Sequence, residues 1–202
     1  MKSWAYFLIF FFIFFVVFFA LCISDFYHWI KTKIILLLNP PPPPLPEETL
    51  FVYTEKENGI EIPSLEVEAP LVFIQDTNQE SLKKGLEKGV VYYPGSAMPG
   101  EKGQIFILGH SAPAGWPKIK YEWVFSRIAE LEPGEIIFLN YDHKQYHYEV
   151  KRKIFLEKGE EIPPPEEGRS VLYLITCWPP GRDIRRLAIE AVLIKPSFKD
   201  KT

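Results

Sequence analysis

Beyond residue 59, apolar and polar positions alternate in short runs separated by turn-forming residues such as Pro94-Gly95 and Pro133-Gly134. Alternation with a period of two predicts β-strands with one buried face. The runs lie at 60–67, 71–75, 90–93, 104–108, 135–141, 145–155, 171–176 and 186–194. About eight short strands with few helices favour a mainly β fold, and specifically a closed or nearly closed barrel.

Two segments have helical spacing instead. Residues 78–87 form the first, and residues 122–131 form the second, in which Trp123, Phe125, Ile128 and Leu131 could face a core. We therefore expect one or two short helices beside the strands.

The N-terminal segment has a different character. Residues 4–23 carry neither a charge nor a proline, and a helix of that length spans ~30 Å, the thickness of a bilayer core. We predict an uncleaved N-terminal transmembrane helix. A signal peptide would need a small-x-small cleavage site, and cleavage of a lipoprotein before Cys22 would need a smaller residue than Leu21. The flanking lysines do not decide the orientation of the helix.

The apolar residues of 26–38 recur at roughly helical spacing, and they favour an interfacial helix and a packed core helix about equally. The prolines at 40–44 then form a stiff spacer. The predicted organisation is an anchor and juxtamembrane segment at 1–39, a proline-rich linker at 40–59 and a strand-rich domain at 60–202.

Composition excludes several classes of function. The formal net charge is −3, and no dense basic stripe is present, so we expect no nucleic-acid partner. The histidines and carboxylates do not have metal-ligand spacing, and there is no glycine-rich phosphate loop, so neither a metal nor a cofactor is expected. The two cysteines, Cys22 in the apolar segment and Cys177 in the polar remainder, are poorly placed to form a disulfide.

Cys177 ends an apolar run and precedes a turn and a cluster of arginines. A thiol in that position can be exposed and tuned toward the thiolate, which is the nucleophilic form. The alternative is a buried structural cysteine. His110 follows the run 104–108 and opens a loop, where a general base could face a cleft. His143 and His147 flank a hairpin-like turn and are predicted at the surface.

Several segments together resemble the sortases, which are membrane-anchored cysteine transpeptidases of bacteria. The resemblance covers roughly residues 61–196, and its motifs are 90–103, Ile107-Leu108-Gly109-His110-Ser111, Leu174-Ile175-Thr176-Cys177 and the arginine cluster that ends at Arg186-Leu187. It implies a sortase-like closed β-barrel of about eight strands, with one or two short helices, behind a transmembrane helix.

The resemblance also implies roles for individual residues. Cys177 would be the nucleophile, His110 the general acid and base, and Arg186 the residue that stabilises the oxyanion. Arg185 and Arg182 compete for the last role. Because side chains alternate along a strand, Arg185 should point away from the face that carries Arg186.

Thr176 and Ser111 are the substrate-binding candidates. Tyr173 replaces the threonine that is usual in the family four residues before the nucleophile. This replacement bears on the choice of substrate and leaves the chemistry intact.

The implied activity is cleavage of an LPxTG-like sorting motif on secreted proteins through a Cys177 thioester. The acceptor would be an amine, from a cell-wall precursor or a protein lysine. The chain would be a single-pass cell-membrane protein with an extracytoplasmic catalytic domain. The polar tail and the absence of a lid motif or long inserted helix favour class A, D or E over B or C. A hydrolytic cysteine peptidase and a non-catalytic anchored binding barrel are the alternatives.

Overall fold

The computed structural model describes residues 50–164 and 168–195, together with residues 11, 12, 15, 19 and 31. Most of the predicted anchor and half of the proline-rich linker, residues 40–49, therefore lie outside the described residues, and the predicted domain boundaries stay predictions. Among the residues that are described, no helix has the length and apolar character needed to cross a membrane. The chain divides into two compact units, Met1–Glu47 and Glu48–Thr202, and the second unit carries the fold.

Within 50–164 and 168–195, the chain forms nine strands, one α-helix and two 3₁₀ helices. The strands are β1 Phe51–Tyr53, β2 Gly59–Ile62, β3 Val67–Phe73, β4 Val90–Tyr92, β5 Gly103–Leu108, β6 Ile136–Tyr141, β7 Lys144–Leu156, β8 Ser170–Trp178 and β9 Arg185–Ile194. The α-helix is α1 Gln79–Leu86, and the 3₁₀ helices are Pro63–Leu65 and Ile128–Glu130.

The strands close into a barrel. Their order is β1-β7-β6-β2-β3-β4-β5-β8-β9, and an additional pairing of β7 with β9 joins the ends of the eight strands β2 to β9. The short β1 pairs with the first residues of β7, from Lys144 to Tyr146, and β9 pairs with the residues that follow, from His147 to Leu156. The predicted closed barrel of about eight strands with one helix is confirmed, and β1 is a strand that the pattern did not predict.

The core lies inside the barrel and comes from alternate residues of its strands. These inward residues are Ile60, Ile62, Ala69, Leu71, Val90, Tyr92, Ile105, Ile107, Ile137, Leu139, Tyr146, Tyr148, Val150, Leu172, Leu174, Leu187, Ile189 and Ala191. Because neighbouring side chains of a strand point to opposite faces, the intervening residues of β5, β8 and β9 face the outside of the barrel. Cys177 and Arg186 belong to this outward set.

The helix α1 packs on the outside of the barrel, and its predicted position at 78–87 is confirmed. The Asn78 side chain caps its first turn by accepting a hydrogen bond of 2.8 Å from the Ser81 amide. Gly85 allows the close approach to β4, since a Cβ atom there would lie 2.7 Å from Cγ2 of Val91.

The second predicted helix, at 122–131, is wrong. The segment consists of turns that end in the 3₁₀ helix Ile128–Glu130. Tyr121 has a positive φ of 65°, and the Phe125 amide donates to the His110 carbonyl at 2.9 Å, outside the segment. Phe125 and Ile128 are nevertheless fully buried. The helical spacing of apolar residues in this segment therefore correctly indicated burial but wrongly indicated a helix.

The first predicted strand is also corrected. The run 60–67 is interrupted by the 3₁₀ helix Pro63–Leu65 and by Glu66, whose φ is 54°. The interruption turns the chain so that β3 returns antiparallel to β2, with Ile62 opposite Val67.

We predict that Gly109→Ala destabilises the fold, because the new Cβ would lie 2.2 Å from Cδ2 of the buried Phe125 ring. Overpacking of this kind costs about 1–3 kcal/mol of unfolding free energy, which urea unfolding of the full chain would measure. Phe125→Leu is the matched partner substitution. The cost of the double variant should be smaller than the sum of the single costs, and additive costs would contradict the contact.

Candidate active site

The parallel pairing of β5 with β8 brings His110 to Cys177. The register runs from Gly103 opposite Ser170 to Leu108 opposite Ile175, and the Gly109 amide extends it with a hydrogen bond of 3.1 Å to the Ile175 carbonyl. His110 and Cys177 each lie two residues beyond the last pair. Because parallel strands advance together, the two residues reach the same end of the barrel.

The antiparallel pairing of β8 with β9 brings Arg186 to the same place. Cys177 lies directly opposite Arg186, and Trp178 lies opposite Arg185. Directly opposite residues share one face of a sheet, and their Cβ atoms are about 4.5–5.5 Å apart. Arg186 is therefore on the face of the thiol, whereas Arg185 is on the other face and pairs with Glu157 at 2.7 Å.

The thiol is free and half-buried. Its Sγ lies 3.9 Å from Oδ1 of Asp183. Burial is the largest influence and raises the pKa of the Cys177 thiol above its ordinary value, and the Asp183 carboxylate raises it further. Arg186 and Lys158 act in the opposite direction and do not compensate. The expectation that nearby arginines tune the thiol toward thiolate is therefore wrong, because desolvation outweighs their charge.

His110 is held through its backbone. It is half-buried, and its carbonyl accepts the hydrogen bond from the Phe125 amide. The preceding Gly109 lies against the Phe125 ring so closely that no side chain fits there. The backbone around His110 is thus held by two contacts. Phe125 binds the His110 carbonyl, and β8 binds the amide of the preceding Gly109.

The two substrate-binding candidates use their hydroxyl groups inside the chain. Thr176 Oγ1 donates to the Gly109 carbonyl at 2.7 Å, and Ser111 Oγ donates to the Cys177 carbonyl at 2.8 Å. Both bonds tie the segment around His110 to the end of β8. In the structure these hydroxyl groups stabilise the chain around the site. Contact of either residue with a substrate stays a prediction.

Two residues near the thiol were not predicted from the sequence. Asp183 Oδ1 pairs with Arg186 Nη1 at 2.5 Å, and its Oδ2 pairs with Lys158 Nζ. The spacing of three between Asp183 and Arg186 was a local signal for the first pair. Lys158 is 25 residues from Asp183, and no local pattern connects the two.

A cleft follows the outer face of β8 away from Cys177. Tyr173, which lies four residues before the thiol on the same face, is 2% exposed. The cleft has a volume of about 330 Å³, and Pro163 and Pro164 line it from the β7–β8 connection. The Tyr173 hydroxyl donates to Glu190 at 3.1 Å, and burial raises the pKa of Tyr173 to about 12.

His143 and His147 lie in the β6–β7 turn and on β7. His143 is exposed in the β6–β7 turn, as predicted, with a φ of 58°. His147 is half-buried against the Phe138 ring, with 4.6 Å between the ring centroids, and burial lowers its pKa. Its predicted surface position is therefore only partly right. Within the described part of the chain, no group of three or more histidine, cysteine or acidic residues is arranged to hold a metal ion.

Fold and site together define a closed β-barrel with a cysteine, a histidine and an arginine at one end. The family model described as Sortase domain matches residues 60–194, and the chain belongs to the sortase family. It is 34% identical over 128 residues to Sortase D of Bacillus subtilis (strain 168), a match that covers 62% of this chain and 57% of that relative. The chain thus matches little more than half of the length of this relative.

Solved structures share the fold. Sortase C of Streptococcus pneumoniae superimposes with a TM-score of 0.58 at 23% identity, over 69% of this chain and 67% of that one. Sortase A of Corynebacterium diphtheriae gives the same TM-score and identity, over 72% of this chain and 66% of that one.

We predict that Cys177 reacts slowly with iodoacetamide at neutral pH. Alkylation follows the thiolate fraction, and the raised pKa moves that fraction to higher pH. The measurement is the rate of modification against pH, read by mass spectrometry of the peptide that carries Cys177. The chain unfolded in urea is the control, and its thiol should titrate at lower pH. A folded-state midpoint at or below the unfolded one would contradict the burial effect.

Proposed function

We propose that this chain is a sortase-type cysteine transpeptidase. One observation carries the proposal: Arg186 lies directly opposite Cys177 in the pairing of β8 with β9, and the pairing of β5 with β8 ends two residues before both His110 and Cys177. A nucleophile, a proton carrier and a cation thus meet at one strand end. That set of groups serves acyl transfer, and a barrel that only binds has no need of it.

The proposed reaction has two halves. The Cys177 sulfur attacks the carbonyl carbon of a threonine-like residue in an LPxTG-like motif, and His110 donates a proton to the departing amine. The downstream peptide leaves, and the upstream part stays on Cys177 as a thioester. A second amine, from a cell-wall precursor or a protein lysine, then attacks the thioester and releases the thiolate, which recovers its proton.

Arg186 would stabilise the negative charge that develops on the carbonyl oxygen in both halves. The loss of one such donor costs about 2.7–4 kcal/mol of transition-state stabilisation in other acyl-transfer sites. Arg185 is a weaker candidate, because it lies opposite Trp178 and pairs with Glu157. Arg182 lies in the turn after β8, where its amide donates to the Pro179 carbonyl.

Because the pKa of Cys177 is raised, we propose that His110 also accepts the proton of the thiol. A thiol whose pKa lies above the ordinary value is mostly protonated at neutral pH. The proton must therefore leave the sulfur when attack begins, and we assign its acceptance to the His110 imidazole. His110 would then return this proton to the leaving amine.

The cleft along β8 is where we place the part of the motif that precedes the scissile bond. An extended peptide advances about 3.3 Å per residue, so Tyr173 would lie beside residues about four positions upstream. We assign Tyr173 to the selection of those residues, with Thr176 and Ser111 nearer to the thiol. The identity to Sortase D supports class D within the predicted A, D or E group.

The cellular setting follows from the substrates. Proteins with sorting motifs and the amines of the cell wall lie outside the cytoplasmic membrane, so the barrel would be extracytoplasmic. Residues 4–23 would be the single membrane span, and the linker at 40–59 would hold the domain of residues 60–202 away from the lipid surface. The proposed reaction uses side chains alone and needs no cofactor.

The test is intact-mass analysis of the full chain with a library of peptides that vary the LPxTG-like motif. We expect an acyl adduct on Cys177 that Cys177→Ala abolishes and His110→Ala nearly abolishes. Added amine should convert the adduct to an amide product and release the enzyme.

Each other outcome has a meaning. Release of a free acid in the presence of amine would identify a hydrolytic peptidase instead. A chain that forms no adduct with any peptide would contradict the proposal and favour a binding barrel.

A further inference from the structure

An ionic cluster lies directly beside the thiol. Its centre is Asp183, in the connection between β8 and β9, whose Oδ1 contacts both Cys177 Sγ at 3.9 Å and Arg186 Nη1 at 2.5 Å. The other carboxylate oxygen pairs with Lys158 Nζ. One carboxylate therefore joins the nucleophile, the cross-strand arginine and a cation from the β7–β8 connection.

We propose that Asp183 is a positioning residue that holds the Arg186 guanidinium beside Cys177, and that Lys158 offsets the negative charge which this contact brings to the thiol. The proposal deepens the function proposed above. Only its predicted effect on kcat rests on that proposed function.

The need for positioning follows from the arginine itself. Strand pairing fixes the backbone of Arg186 opposite Cys177, but the side chain is long and can leave that place at little cost. Two contacts restrain its Nη1 atom, the Asp183 carboxylate and the Arg185 carbonyl at 3.1 Å. A guanidinium has five N–H donors, so donors stay available for an oxyanion while the carboxylate holds the group.

The need for Lys158 follows from charge. Asp183 alone would neutralise Arg186 and would place a negative charge next to a sulfur that must become negative. With Lys158 the cluster carries a net charge of +1. The pKa shifts agree in sign: Arg186 and Lys158 lower the pKa of the Cys177 thiol, whereas Asp183 raises it by its charge and its hydrogen bond.

Asp183 is ionised at neutral pH, because hydrogen bonds from Lys158 and Arg186 lower the pKa of its carboxyl. The other groups at this end of the barrel that carry or can carry a charge are His110, which follows β5, Glu157 and Arg185, which pair with each other, and Arg182 in the turn after β8. Alkylation of Cys177 is therefore compared among variants at one pH as well as across the pH range.

The chain offers a matched control for the cluster. Glu157 and Arg185 form a second ion pair, at 2.7 Å, between the same two segments. Each is the sequence neighbour of a cluster residue, Lys158 or Arg186, yet Arg185 lies opposite Trp178 and away from the thiol. Loss of this pair removes a tie between the segments and leaves the charges at Cys177 unchanged.

The first test is the rate of Cys177 alkylation by iodoacetamide in the full chain. Lys158→Gln should slow it several-fold at neutral pH and move the rate profile to higher pH. Glu157→Gln should leave both unchanged. Equal effects of the two substitutions would mean that Lys158 only connects the two segments through its ion pair, and they would overturn its assigned role.

The second test is a double-mutant cycle on the same rate. In an Arg186→Gln background, Asp183→Asn removes only a negative charge, so alkylation should become several-fold faster. With Arg186 present, the gain should be smaller or reversed, because the released guanidinium moves away from the sulfur. Equal gains in both backgrounds would show that Asp183 does not act through Arg186 and would overturn the proposal.

The kinetic consequence separates this proposal from the proposed function. Asp183→Asn should lower the kcat for transfer of a sorting peptide to an amine more than it changes KM, and Asp183→Glu should recover part of the loss. If the wild-type chain transfers no peptide but the alkylation cycle behaves as expected, the proposed function fails and the role of Asp183 at the thiol stands. An unchanged kcat in an active chain would contradict the positioning role.

Discussion

The parallel pairing of β5 with β8 is the constraint on which the site depends. Closure of the barrel through β7 and β9 fixes the register of every strand, and a shift of one residue would turn Cys177 into the core. Within that register, β8 has a histidine at one flank and an arginine at the other. No short segment of the chain contains all three groups, because His110 follows β5, Cys177 lies on β8 and Arg186 lies on β9.

Burial and charge oppose each other at the thiol. The position that makes Cys177 accessible to a bound peptide also partly buries it, and this burial disfavours the thiolate. Arg186 and Lys158 favour the thiolate, and Asp183 opposes them. The balance leaves a thiol that is protonated at rest, so its reactivity depends on a proton acceptor and on the placement of nearby charges. For the proposed acyl transfer, a thiol that is protonated and unreactive until a peptide binds is an advantage.

The sequence predicted those features that depend on alternation and on local chemistry. Seven predicted strands agree with the structure to within a few residues, and strand alternation separated Arg186 from Arg185. The sequence-based prediction was wrong where tertiary contacts determine the local structure. The spacing of Phe125 and Ile128 suggested a helix, but the two residues are buried in a segment of turns. The break at Pro63–Leu65 and the partnership of Lys158 with Asp183 depend on how distant segments meet, which no local pattern contains.

The most direct test of the account is a crystal structure of the chain with a peptide ketone attached covalently to Cys177. The oxygen that was the ketone carbonyl mimics the oxyanion of the reaction. We expect the Arg186 guanidinium to donate to it at about 2.7–3.1 Å, with the peptide extending along β8 toward Tyr173. An oxygen that instead meets Arg185 or Arg182, or meets no arginine, would contradict the claim that strand pairing assembles the catalytic groups.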